Sequence, residues 1–506
     1  MRRFLVLGLA LMAGPLAAQT AAPAAGRAAA TITAADVARR IGVIADDSML
    51  GRDTPSRGLE LTASYVARQF RRFGLRPGGD GGGWYQRYPI KRRQFDSERS
   101  RVILAAGGVE AEARFDRTAR YLQGAVTGEP LTGPAVLVGG GLRADDVGRM
   151  ALRDKVVVYV SDFNAPPSDR ATQVARAIRL GAPRAVVLVA NLDPDGFAAR
   201  IPRTIPARTT VDLKLVSPPY VEVNEAAVAP VLRAAKVDLA AVRADTAPVY
   251  RELPGLRVRV ELRDSVLQSL TAPNTVGILE GSDPVLRKEY LVFSAHMDHI
   301  GITPGRADSV NNGADDDASG TAGVMELAEA FSRPGARPKR SIIFLTVSGE
   351  EKGLWGSRYF SEHPAVPIHR IVADLNIDMI GRNWRDTIVA IGKEHSDLGT
   401  TLERVNRAHP ELGMTAIDDR WPEERFYFRS DHYNFARKGV PILFFFNGVH
   451  PDYHQVTDSP DKIDSEKEAR ILRLLYHLGR EIGNAPERPK WKPESYRAIV
   501  DDPLRP

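Results

Sequence analysis

The 506-residue chain contains no cysteine, so it carries no disulfide and no cysteine-linked lipid. Without disulfides its stability must come from elsewhere, the core above all. Histidine is absent from Met1 through Tyr290, which confines any histidine chemistry to the C-terminal part of the chain. Beyond the first 16 residues, no stretch reaches the roughly 18 apolar residues that a membrane-spanning helix needs. A basic stripe is also missing: the formal charge is +6, but Lys and Arg alternate with Asp and Glu along most of the chain. That pattern reads as a solvated surface and argues against a nucleic-acid partner. No internal repeat occurs, and the only biased segment is Ala-rich and N-terminal.

What is present begins with a short basic start, Met1-Arg2-Arg3, then an apolar stretch over 4–16 and the small residues Ala17 and Ala18. Residues 1–19 read as a secretory signal peptide cleaved near Ala18 to Thr20, which predicts a periplasmic or extracellular protein with no membrane span. The Ala-rich residues 20–32 are expected to form a disordered linker. The length fits about three domains, or one large domain with an insertion.

Thr33 predicts a helix N-cap with a helix over 34–44. Residues 59–73 have apolar positions at i, i+3 and i+4 and predict an amphipathic helix ended by Gly74. From Tyr121 the texture changes to short apolar strands at 135–139, 155–161 and 185–190, with helices at 169–180 and 225–235. This segment, 121–251, has the size of a small separate domain and no catalytic cluster. Strands at 258–262 and 275–280 lead back, and 274–279 is expected beside the strand that starts at Leu291. Residues 465–482 predict a closing amphipathic helix, and 486–506 a surface tail.

The stretch 291–378 organises the rest. Apolar runs at 291–295, 341–347, 371–377 and 440–446, bounded by Gly, Pro and polar residues, read as buried strands. Polar clusters follow the runs: His296 and Asp298, Glu350 and Glu351, Asp378, and later Tyr453 and His454. Strand C-termini are where open α/β sheets place ligands. Asp315, Asp316 and Asp317 precede a helix near Ser319. Three adjacent acids exceed what a cap needs, and one of them is placed to bridge two cations. Adjacent Glu350 and Glu351 point in different directions, so one can bind metal while the other reaches water. The donor types suit two zinc ions with a shared carboxylate.

The motifs HMD (296–298), GADDDASG (313–320), SGEEKGLWGS (348–357), NIDMIG (376–381) and YHQVTD (453–458) resemble those of metallopeptidase family twenty-eight, secreted di-zinc aminopeptidases with glutamate carboxypeptidase-type relatives. The resemblance implies an α/β zinc-exopeptidase fold with a mixed central sheet flanked by helices. It places the peptidase domain at 33–120 and 252–485, with a small β-rich protease-associated domain inserted at 121–251. It implies two Zn2+ held by His296, Asp316, Glu351, Asp378 and His454, with Asp316 bridging. Asp298 would orient His296, Glu350 would be the general base, and Tyr453 would donate to the oxyanion. A cis bond would join Asp316 to Asp317. Arg429, with His432 and Phe428 nearby, would contact substrate. His299 is near these residues in sequence but adds no needed ligand.

The activity so implied is removal of N-terminal residues from peptides with a free N-terminus. The same donor set also serves carboxypeptidases and dipeptidases. A one-zinc glutaminyl cyclase-like acyltransferase and a non-catalytic receptor-like module fit the complete donor set less well. The sequence carries no signature of oligomeric state.

Overall fold

The computed structural model describes residues 24–162, 169–202, 205–213 and 218–500. The expected signal peptide, 1–19, lies outside them, as do residues 501–506 of the expected tail. No helix among the described residues is long and apolar enough to cross a membrane. The described residues form two compact units, one of 24–87 with 273–500 and the other within 88–272. The chain leaves the first unit within the strand Tyr85–Phe95 and returns within the strand Asp264–Leu279. The second unit is therefore wider at both ends than 121–251.

In the first unit, helices α1 (Ala34–Ile44) and α2 (Arg57–Arg72) come first. Thr33 and Ser56 cap them by accepting the amides of Asp36 and Leu59, as their residue types favour. The sheet then forms from β1 (Asp264–Leu279), β2 (Tyr290–His296), β3 (Ser341–Val347), β4 (Ile371–Ile377), β5 (Thr387–Ile391), β6 (Thr415–Ile417) and β7 (Ile442–Phe445). Their order is β1-β3-β2-β4-β7-β5-β6. The inner strands β3, β2, β4 and β7 are parallel, while β1 runs antiparallel to β3 and β5 antiparallel to β7. The expected adjacency of 274–279 and the Leu291 strand is corrected: β3 lies between them. The link from Leu279 to Tyr290 passes over β3, and parallel partners fill both sides of β2.

Every residue of β3 and β4 is buried, which is why these strands read as continuous apolar runs. Alternate side chains feed two cores. Phe293, Phe344 and Leu375 join the core that holds Val37, Phe70 and Leu472. Val292, Ile343 and Leu345 join the one that holds Phe360 and Phe435. Helices α3 (Gly320–Ser332) and α4 (Trp355–Glu362) follow β2 and β3, and α5 (Leu398–Ala408) follows β5. Next come α6 (His432–Ala436) and α7 (Ser465–Asn484), which is capped by Asp464 and contributes Ile471, Leu474 and Leu478 to the core.

Both ends depart from expectation. Within the Ala-rich linker, Ala24–Ala29 is helical, and Ala28, Ala29 and Ile32 are buried. Arg473 donates to the Ile32 carbonyl, so small side chains and a charged anchor hold this segment down. In the expected tail, Pro493–Ile499 is a helix with Ile499 and Val500 buried, and the Trp491 indole donates to the Gly439 carbonyl. A few apolar side chains outweigh the polar composition there.

The second unit is built from two sheets. One has strands Ala135–Gly140, Val156–Val160, Ala185–Ala190 and Tyr220–Asn224 in parallel, with Pro248–Glu252 and Ala119–Gln123 antiparallel at its edges. The other pairs Val109–Arg114, Arg101–Ala106, Arg257–Glu261 and Leu131–Thr132. Their core is aliphatic, centred on Val102, Leu137, Val158, Val187 and Val260.

Candidate metal centre

Four parallel strands end at one edge, and each releases polar residues there. His296 closes β2, Ser348–Glu351 follows β3, Asp378 follows β4, and the loop after β7 carries Tyr453 and His454. These side chains meet. His296 Nε2 lies 3.2 Å from Asp316 Oδ1 and 3.6 Å from Asp378 Oδ1. The other oxygen of Asp316, Oδ2, lies 3.2 Å from His454 Nε2, which is also 3.2 Å from Glu351 Oε2. Asp316 therefore faces two donor groups with two oxygens. Glu350 and Tyr453 line the same cleft, and the Tyr453 ring stacks on His454 at 3.9 Å.

The three adjacent acids do three different jobs. Asp316 faces the donors. Asp317 accepts the amides of His296, Met379 and Gly320, so it ties β2, the β4 end and the start of α3 together. Asp315 accepts the Gly381 amide at 2.6 Å and stands 3.2 Å from His450 Nε2. The Asp316–Asp317 peptide bond is cis. Asp458, in the YHQVTD segment, accepts the amides of Asp315 and Asp316 and thereby fixes the acidic turn.

Asp298 stands beside His296 and also meets the neighbouring turn. His296 Nδ1 lies 3.2 Å from the Asp298 carbonyl and 3.6 Å from its carboxylate. That carboxylate accepts the Gly349 amide at 2.7 Å and the Thr54 hydroxyl at 3.0 Å, so it buttresses the turn that presents Glu350. Arg52, fully buried, donates to the carbonyls of Met297, Ile44, Asn312 and Gly313. Behind Asp378 a polar chain runs from Ser430 to Asn376 to Ser294 to Asp374. No motif marked Arg52, Thr54 or Ser430, and Asp458 lay within YHQVTD with no role of its own. The one available signal was the Gly51 and Pro55 that adjoin Arg52 and Thr54.

The electrostatics describe a well short of positive charge. Burial works to lower His296, but Asp378 and contacts with Asp298 and Asp316 carry its pKa well above the imidazole range. Burial also opposes His454, yet Asp316 and Glu351 push it up to about 10. Burial would raise Asp316, while the neighbouring His296 and His454 imidazoles hold it well below the usual carboxylate range. Glu350 lies well above that range, first through burial and then through Asp431, Asp378 and Glu351, with His296 opposing. Buried His454 Nε2, Glu351 Oε1 and Asp378 Oδ1 have no hydrogen-bond partner. Oxygen and imidazole donors that converge without pairing fit a divalent cation such as zinc. His296, Asp316 and Asp378 form one such group, and His299, Asp316 and Glu351 a second.

The cleft is lined by Met379, Phe426, Phe444, Phe446 and Val449, with Arg429 and Ser430. Arg429 is half exposed, 3.2 Å from Glu424, with its guanidinium over the Phe426 ring. The other two residues expected to touch substrate are elsewhere. His432 is fully buried, stacked on Phe444, with Nε2 2.8 Å from the Tyr427 carbonyl. Phe428 packs on Tyr427 and Tyr433 and is not part of the cleft lining. The short turn Phe426–Phe428 presents alternate rings to different sides, so Phe426 takes the cleft position.

The chain is 30% identical to leupeptin-inactivating enzyme 1 of Streptomyces exfoliatus over 194 residues, 38% of this chain and 39% of that protein. It is 28% identical to a probable zinc metalloprotease of Pyricularia oryzae over 256 residues, 42% of this chain and 50% of that one. The matches thus span half or less of these relatives' own lengths. Among solved structures, an aminopeptidase from Aneurinibacillus sp. strain AM-1 is 18% identical, with 92% of this chain and 97% of that chain covered and a TM-score of 0.47. Residues 274–479, which carry every candidate metal ligand described above, match the model of peptidase family M28.

Proposed function

We propose that the protein is an exported two-zinc aminopeptidase that removes single residues from the free N-terminus of peptides. The observation that carries this reading is the shared carboxylate: Asp316 turns one oxygen to His296 and the other to His454, with Glu350 in the same cleft. His296, Asp316 and Asp378 would hold one zinc, and Asp316, Glu351 and His454 the other. Zinc so bound lowers the pKa of water toward about 7 and polarises a carbonyl oxygen.

The chain's own groups supply the rest. Glu350 takes the proton of the attacking water and returns it to the leaving amine; its burial favours a base that holds a proton readily. Tyr453 donates its hydroxyl to the carbonyl oxygen as negative charge develops there. Asp298 and Thr54 hold the Gly349–Glu350 turn so that this carboxylate is placed before substrate arrives. The apolar rings around the cleft favour an apolar N-terminal side chain. The unit Tyr88–Ala272 is read as a protease-associated insertion, and residues 1–19 as the export signal.

Arg429 on the cleft rim favours a second reading, a dipeptidase or carboxypeptidase in which its guanidinium meets a free C-terminal carboxylate. Mass spectrometry of peptides with free, acetylated or amidated ends separates the two. A ladder from the free N-terminus, with acetylated peptides intact, is expected. Loss of residues from the C-terminus of acetylated peptides would replace the first reading with the second.

A further inference from the structure

We propose that His299 is a resident ligand of the second metal, giving that site four protein donors; this rests on the two-metal reading above. The ring of His299 is completely buried. Its Nδ1 lies 3.0 Å from Glu351 Oε1 and 3.6 Å from Asp316 Oδ2. Despite the short approach, neither Nδ1 nor Glu351 Oε1 makes an aligned hydrogen bond. Lone pairs that crowd together without pairing are converging on a common point, as donors around a cation do. Glu351 Oε2 makes the matching approach to His454 Nε2 at 3.2 Å, so the two oxygens of Glu351 each face one imidazole.

The ring is held in place. A side-chain carbon on Gly313 would stand 2.6 Å from Cγ of His299, so only glycine leaves room for it. The His299 amide donates to the Arg52 carbonyl, and the ring meets His454 edge to face at 5.6 Å. A buried imidazole fixed this way, with no hydrogen-bond partner, would be costly unless something else used its lone pair.

The consequence is an asymmetry between the two metals. The first has three protein donors, His296, Asp316 and Asp378, the number typical of zinc sites that leave a position for water or substrate. The second has His299, Asp316, Glu351 and His454, the closed set of a structural zinc. The second site should therefore fill first and hold its metal more tightly.

The test uses full-length protein stripped with a chelator and titrated with zinc against a chromophoric competitor. Wild-type protein is expected to bind two equivalents, one tighter. X-ray absorption at one equivalent should show two imidazoles on zinc. His299→Ala and His299→Gln are both expected to weaken the tighter site at least about tenfold, since loss of even an outer partner costs that much. A single imidazole on the first zinc would overturn the assignment. So would full affinity in His299→Gln, because an amide replaces a hydrogen bond to Glu351 but not an imidazole ligand. Failure of the wild-type protein to take two metals would instead overturn the two-metal reading itself.

Discussion

The two units bury polar groups in opposite ways. Among the described residues of the second unit, the buried polar side chains are Ser100, Glu222, Asn224 and Glu261, and each has an evident structural partner. Glu222 meets Arg120 and Arg200, and Glu261 meets Arg101 and Arg259. Asn224 caps the helix Glu225–Ala234, and Ser100 accepts the Arg263 amide. The first unit buries Asp298, Asp315, Asp316, Asp317, Asp378 and Asp431 within one region, where Arg52 is the buried guanidinium set among them. Desolvating carboxylates without matching cations is unfavourable unless a bound cation completes the balance. The contrast locates the chemistry in the first unit and makes the polar burial of the second a matter of stability.

The sharpest way to break this contrast is to remove a carboxylate from each unit. Glu350→Ala is expected to lower kcat by about 10²–10⁴ while zinc content and melting temperature hold, as for loss of a general base. Normal turnover in that variant would remove the base assignment. Glu222→Ala should do the reverse: stability falls by about 3 kcal/mol, because two guanidinium groups lose their partner, while turnover per folded molecule is unchanged. Denaturant unfolding and an active-site titration measure the two sides, and a change in zinc content in Glu222→Ala would contradict the separation.

His432 supplies a pH test. Burial pulls its pKa down to about 3, with the Tyr427 carbonyl opposing. Between that value and the ordinary 6.5 of an unfolded chain, the unfolded state binds the extra proton. Stability is then fully present above pH 6.5 and is lost as pH falls toward 3, by about 2 kcal/mol at pH 5. Denaturation curves at pH 7 and 5 should show that loss in the wild type and a smaller one in His432→Phe. The smallest expected effect is that of Thr54→Val, about 1 kcal/mol, from loss of one hydrogen bond to Asp298 and one from Gly349. It should appear as lower kcat more than as raised KM.

Much of the first unit was legible because its inner strands are buried on both faces. Runs such as 341–347 and 371–377 then have no polar interruption, and the acids after them stand out. The order of the strands was less accessible. Residues 274–279 and 290–296 are close in sequence yet separated by β3, since pairing follows which faces need cover and not proximity. The sequence shows an extra histidine at His299 but not its 3.0 Å approach to Glu351, so no ligand role is legible there. Arg52 and Thr54 reach the site from more than 240 positions away in sequence, through contacts only the fold creates. The helices at Ala24–Ala29 and Pro493–Ile499 were hidden by composition, because Ala-rich and Pro-rich segments look unstructured until a few buried side chains anchor them.

The most direct test of the account is add-back of zinc to the stripped protein, with release of the N-terminal residue from an unblocked peptide as the readout. The rate should rise up to two equivalents per chain and then level off. Hydrolysis by the stripped protein, or none at any zinc level, would contradict a two-zinc aminopeptidase built on Asp316.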